Sequence, residues 1–196
     1  MEKCVRDIFY AVLKVDSAHI NVVGINGDNA NYNQNAENNF TVQVYSKLEN
    51  IMQLDNTGYY HGLTQNFDIL KFKFNIRPDI VLHRGNDNLD DQRMYVEVKT
   101  DPKANLSEDL RKLLLAVDDE LHFENGVLIV GKKVLDRTIL DILGYLDEEN
   151  ISNDDVKLKK LFLIHFIGID DIAYSIIPFS ELVEIPKAKL LLLACH

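Results

Sequence analysis

Asp79, Glu97 and Lys99 are the residues of this chain whose types and spacing could do chemistry. They fall in two runs, Arg77-Pro78-Asp79-Ile80-Val81-Leu82-His83 and Tyr95-Val96-Glu97-Val98-Lys99. In a strand, alternate side chains share a face. Glu97 and Lys99 therefore point the same way, about 7 Å apart along the strand. Val96 and Val98 face away from them. Asp79 shares a face with Arg77 and Val81, opposite Ile80 and Leu82. A hairpin that pairs the two runs brings Asp79 beside Glu97, on the polar side of otherwise apolar strands. Two like charges held together cost free energy unless something neutralises them. A divalent cation is the simplest remedy, and carboxylate oxygens with water suit Mg²⁺ or Mn²⁺. The Val98 backbone carbonyl, between Glu97 and Lys99, is placed to be a further ligand. Lys99 beside a water at such a cation could position or deprotonate it, or offset developing negative charge. The plainer reading makes Asp79 and Glu97 ordinary strand-end carboxylates, satisfied by Lys99, Arg77 or Lys73. Their setting within apolar strands favours the metal.

The elements that must hold these residues can be read from periodicity. Val5, Ile8, Phe9 and Val12 recur at helical spacing within residues 3–14. Residues 24–39 are rich in Asn and Gly and read as a long irregular loop. Phe40, Val44, Leu48 and Ile51 predict a helix over about 35–54. Residues 57–63 and the alternating run 70–74 are strand candidates, followed by strands at 76–83 and 94–99. The last two flank Arg84 to Arg93, whose Gly85-Asn86-Asp87-Asn88 predicts an antiparallel hairpin. Asn105-x-x-Glu108 has the form of a capping box, and Leu106, Leu110, Leu113, Leu114 and Val117 continue one helical face. Residues 126–130 form a short apolar run expected of a buried central strand. A helix over 134–146 and a closing strand pair at 160–167 and 172–177 complete the chain. The order predicts an α/β domain, a mixed central β-sheet flanked by helices. We read residues 1–196 as a single domain with a core at about 35–131. A helix and an Asn-rich loop precede the core in residues 1–34, and a helix and strands follow it in 132–196.

Pro78-Asp79 followed by Glu97-Val98-Lys99 resembles the signature of the PD-(D/E)xK nuclease superfamily, most like its uncharacterised bacterial members. The resemblance covers about half the chain. It implies a restriction-endonuclease-like core: a helix, a three-strand antiparallel meander, a helix and a further strand. It also implies a metal-dependent nuclease that hydrolyses DNA phosphodiester bonds, in restriction or defence. Within that resemblance, Asp79 and Glu97 hold the metal with the Val98 carbonyl, and Lys99 steers the water. An acidic residue on the first core helix often joins the site, and Glu37 fits that place. An acid near a helix start is equally explained by the helix dipole; Glu49 is the other acid on that helix, less favoured by its face. Asp109-Leu110-Arg111-Lys112-Leu113 resembles the helix that follows the signature, on which a basic residue sometimes assists, and this puts Lys112 forward.

Composition bounds the rest. The 196 residues carry a net charge of −10, with 46% hydrophobic and 27% charged residues. Collagen-like, mucin-like and wholly disordered chains are excluded. No apolar run approaches the roughly 20 residues of a spanning helix, so no membrane is expected. The two cysteines, Cys4 and Cys195, lack a C-x-x-C partner, which excludes zinc fingers and fits free thiols in the cytoplasm. Nothing matches a P-loop, a nucleophile elbow or a dinucleotide fingerprint. Residues 71–112 are the only stretch that is not acidic, with nine Lys/Arg against eight Asp/Glu. Any DNA contact is expected there, through Lys71, Lys73, Arg77, Arg84 and Lys112. Tyr59, Tyr60 and Tyr95 could stack on bases, though burial of Tyr is commoner. The six histidines show no metal-binding spacing; His83 alone shares a strand and a parity with Asp79. The overall acidity favours the alternative function, a non-catalytic DNA-binding or assembly module with a vestigial nuclease fold. A homodimer or a protein partner is compatible with either reading.

Overall fold

The computed structural model describes residues 2–16, 19, 29–55, 64–65, 76–83, 92–167 and 173–186. Helix α1 (Lys3–Leu13) and helix α2 (Asn29–Gln53) open the chain. Strands β1 (Thr64–Gln65), β2 (Ile80–His83) and β3 (Gln92–Lys99) follow. Helix α3 (Ser107–Ala116), strand β4 (Asn125–Gly131) and helix α4 (Leu135–Glu148) come next. A 3₁₀ turn (Val156–Lys159), strands β5 (Leu161–Ile167) and β6 (Ala173–Pro178) and the short helix α5 (Phe179–Leu182) complete it.

The strands form one mixed sheet in chain order, β1 to β6, with the two-residue β1 at its edge. Pairing is antiparallel from β1 to β3, parallel from β3 through β5, and antiparallel again between β5 and β6. Each parallel step needs a crossover, and α3 and α4 supply them. The two faces of the sheet carry two cores. Tyr95, Leu128, Val130 and Leu163 pack under Leu110, Leu113, Ile139 and Ile142 of α3 and α4. Val96, Val98, Ile129 and Ile164 pack under Val5, Ile8, Phe40, Val44 and Leu48 of α1 and α2. All seven residues of β4 are buried, as expected of a strand covered on both faces. The α/β class and the mixed, helix-flanked sheet are therefore as expected. Among the described residues no helix is long and apolar enough to cross a membrane.

Several local expectations are corrected. Helix α2 starts at Asn29, inside the stretch read as a loop. Once a helix is anchored by Phe40, Val44 and Leu48, adding a turn costs little, and the penalty for Asn is only a few tenths of a kcal/mol per residue, up to about 0.7. Strand β2 starts at Ile80, not residue 76, because Pro78 lacks an N–H and constrains Arg77 before it. Arg93 lies in β3 rather than in the preceding turn. The capping box is not closed: Asn105 Oδ1 accepts from the Ser107 N–H at 2.9 Å, while Glu108 turns to Arg111. The candidate strands at 57–63 and 70–74, the turn at 84–91 and Cys195 lie outside the described residues.

Candidate functional site

The site is built at the carboxyl end of β3, where β2 begins alongside it. In the β2–β3 register Ile80 pairs with Val96 and Val81 with Tyr95. Asp79 lies in a bend just before β2, outside that register, and two hydrogen bonds tie it to β3. The Asp79 N–H donates to the Val96 carbonyl at 3.1 Å, and Asp79 Oδ2 accepts from the Val98 N–H at 2.7 Å. In a strand the N–H and C=O of one residue leave on the same edge, so the Val98 carbonyl faces the Asp79 side as well. Val98 itself packs into the core under α1 and α2.

The face that carries Glu97 is not a polar surface. Helix α3 covers it, and Glu97 is only 1% exposed. One Glu97 oxygen, Oε1, accepts from the Tyr95 hydroxyl at 2.7 Å; the other, Oε2, accepts from Lys112 Nζ at 3.1 Å. Tyr95 is buried, with its ring edge-on to Phe123 at 5.6 Å. Its role here is a hydrogen bond, not base stacking. Lys99 lies on the Glu97 side of β3, as alternation requires, but its partners are different. Its Nζ is 3.2 Å from Glu37 Oε1 and 3.6 Å from Asp109 Oδ1. Glu37 reaches across from α2 and also accepts the Thr100 N–H at 3.3 Å through Oε2.

Asp109 is the acid that reading the sequence left out of the site. It is 3% exposed, and its Oδ1 lies 3.6 Å from the ammonium groups of both Lys99 and Lys112. Its Oδ2 is buried and has no hydrogen-bond donor among the described residues. The signal was present in the spacing. Asp109 falls three residues after Leu106 and four before Leu113, inside the buried stripe of the helix. An acid in that stripe must find a counter-charge, and Lys112 one turn on supplies it.

Asp79, Glu97, Lys99, Glu37 and Lys112 are thus brought together, with the Val98 backbone. The other proposed nucleic-acid contacts are not described there: Arg77 is exposed, and Lys71, Lys73 and Arg84 lie outside the described residues. His83 falls at a register irregularity between Leu82 and His83, at the opposite end of β2 from Asp79.

Electrostatics follow from burial. Desolvation, then the neighbouring Asp79 charge, pushes the Glu97 carboxyl up to about 8, against the pull of Lys112 and Tyr95. Burial also raises Asp79, opposed first by the Val98 N–H, and raises Asp109, opposed first by Lys99. Burial works against the charge of Lys99, but Asp109, Glu37 and Asp79 outweigh it and leave its pKa raised. Lys112 is raised in the same way, with Glu97 the main counterweight to burial. Four carboxylates face two ammonium groups. With all six ionised the group carries two uncompensated negative charges in a place shielded from water.

Comparison with protein-family models, with curated proteins and with solved structures finds no match to this chain.

Proposed function

We propose that this chain is a Mg²⁺- or Mn²⁺-dependent phosphodiesterase that hydrolyses DNA, on a restriction-endonuclease-like core of the PD-(D/E)xK kind. The reading is carried by the convergence of Asp79, Glu97, Glu37 and Asp109 on Lys99 and Lys112 at one strand end. The element order supports it: a helix bearing Glu37, an antiparallel strand pair with Asp79 just before its first strand and Glu97 in its second, a helix bearing Lys112, then a parallel strand.

The donor set suits a hard divalent ion, because it is all oxygen and carries excess negative charge. Among the described residues Asp109 Oδ2 is buried without a fixed donor, which marks the cluster as short of positive charge. Among the described residues no three acidic, histidine or cysteine side chains already stand as a finished ligand cage. Glu97 is turned to Tyr95 and Lys112, and it would exchange Lys112 for the ion. Asp79, Glu97 and the Val98 carbonyl would hold that ion, with Glu37 at the edge of the group. A bound Mg²⁺ or Mn²⁺ would supply Lewis-acid polarisation of a phosphoryl oxygen and a water more acidic than bulk water.

The chain's own residues do the positioning. Lys99, fixed by Glu37 and Asp109, offers its ammonium hydrogens to an attacking water and to charge that grows on the phosphate. Lys112, 3.1 Å from Glu97 Oε2, offsets the Glu97 charge when that group ionises. Tyr95 holds Glu97 from below and fixes its rotamer. A vestigial, non-catalytic module is the second reading. It is favoured by one observation: both Glu97 oxygens already have protein partners. Incubation of wild type and Asp79→Ala with plasmid and linear DNA and Mn²⁺ separates the two. Cleavage by wild type alone supports the enzyme. No cleavage by wild type of DNA or RNA supports the module.

A further inference from the structure

Two lysines and four acids in one small volume could pair in several ways, and most of those pairings would leave Lys99 badly aimed. The observed pairing is specific. Lys99 takes Glu37 at 3.2 Å, and Lys112 takes Glu97 at 3.1 Å. Asp109 Oδ1 stands 3.6 Å from both nitrogens. Its partners come from different elements, since Lys99 is on β3 and Lys112 is one turn along α3. Leu110 and Leu113 of the same helix are locked in the core, so the Asp109 backbone has little freedom to drift. The side chain is 4% exposed, its second oxygen meets no fixed N–H or O–H donor among the described residues, and the Glu97 carboxyl is close enough to hydrogen-bond to it when protonated. A buried carboxylate set beside another carboxyl costs stability. Such a residue calls for a use other than folding.

We propose that Asp109 is a positioning residue: its Oδ1 is the shared anion that sorts the two ammonium groups, holding Lys99 toward Glu37 and Lys112 toward Glu97. Two nearby cations repel each other, and an anion between them removes that repulsion while fixing both directions. Without it, the chain's strongest remaining attraction for Lys99 is Glu37 at the rim, and the ammonium is free to swing outward. Lys112 loses the constraint that keeps it on Glu97. Asp109 therefore acts through the lysines, not on the phosphate. The kinetic part of this inference rests on the phosphodiesterase reading; the geometric part does not.

The test uses Asp109→Asn, which keeps the shape and removes the charge. Hydrogen-bonded ammonium groups that are partly buried, as those of Lys99 and Lys112 are at 23% and 18% side-chain exposure, exchange more slowly than free ones, so their Nζ–H signals are followed in ¹⁵N–¹H spectra of the whole protein. Lys99→Ala and Lys112→Ala identify the two signals by deletion. The expected result is that both signals are lost or broadened in Asp109→Asn and kept in Asp109→Glu. With Mn²⁺ and DNA, Asp109→Asn should lower kcat by about tenfold or more, with KM changed less than about twofold, as for a positioned group acting in the transition state. Adding Asp109→Asn to Lys99→Ala should cost less than about twofold further, because the two act as one unit. Both signals persisting in folded Asp109→Asn would overturn the proposal, as would full additivity with Lys99→Ala. If Asp109→Asn does not fold, Asp109→Glu decides: a folded Asp109→Glu protein that lacks both signals overturns the proposal, and one that keeps them supports it. A wild type that cleaves nothing would refute the enzyme reading, while the spectra would still settle whether Asp109 sorts the lysines.

Discussion

The Glu97→Gln variant should become more stable than wild type as pH rises. Glu97 is almost wholly buried, and its carboxyl is pushed from an ordinary 4.5 up to about 8. The folded state therefore binds a proton that the unfolded chain has already lost. Stability falls with pH wherever the native state holds more protons, so this group costs progressively more between pH 4.5 and about 8. One pKa unit corresponds to about 1.4 kcal/mol. Integrated from pH 5 to pH 8, the difference comes to roughly 3 kcal/mol. For a chain of this size, each kcal/mol moves the midpoint by about 2–4 °C. The glutamine amide removes the charge and keeps one oxygen to accept from Lys112, while its NH2 can donate to the Tyr95 hydroxyl oxygen. Thermal melts of both proteins without divalent metal, at pH 5, 6, 7 and 8, measure the effect. The variant's advantage should grow steadily by roughly 6–12 °C over that range. A constant difference, or a variant that loses ground at pH 8, would refute the reasoning.

Three further outcomes are expected. Mg²⁺ or Mn²⁺ should raise the wild-type midpoint by about 2.7 kcal/mol of stabilisation at a hundredfold excess over Kd, and Asp79→Ala should abolish the response in the same melts. Lys99→Ala should still bind Mn²⁺ by calorimetry but lose about 10²-fold of turnover on DNA, and Lys99→Arg should not restore it because a guanidinium places its donors differently. Gly131→Ala should lower stability by about 1–3 kcal/mol in urea melts. Its Cβ would strike the Phe166 ring, which is itself stacked on Phe40 at 5.0 Å and cannot retreat.

What could be read from the sequence was what lies along one strand or one helix face. The two-residue period placed Glu97 and Lys99 on one side of β3 and Val96 and Val98 on the other, and the two cores divide in that way, with Tyr95 on the Glu97 side. The expected hairpin put Asp79 near the end of β3 that carries Glu97, where it bonds to the Val98 N–H, and the order of elements pointed to the mixed, helix-flanked sheet. What could not be read was which charge meets which across elements. Glu97 was expected to find Lys99, its strand neighbour, yet it pairs with Lys112 from the covering helix. Lys99 instead reaches Glu37, 62 residues away in the chain. Asp109 was passed over although its spacing from Leu106 and Leu113 sets it in the apolar stripe of its helix, because the sequence does not say what that stripe packs against. Only the packing of α3 onto β3 turns it inward. The early start of α2 was hidden for another reason, since an Asn-rich stretch carries a loop-like composition whatever neighbour anchors it.

Anomalous diffraction from crystals of the wild type grown with Mn²⁺ tests the central claim most directly. We expect one strong manganese peak between Asp79 and Glu97, about 2.0–2.3 Å from carboxylate oxygens of both and from the Val98 carbonyl, with Lys112 drawn off Glu97. Clear density for Glu97 still bound to Lys112 and Tyr95, with no manganese beside Asp79 at millimolar concentration, would contradict it.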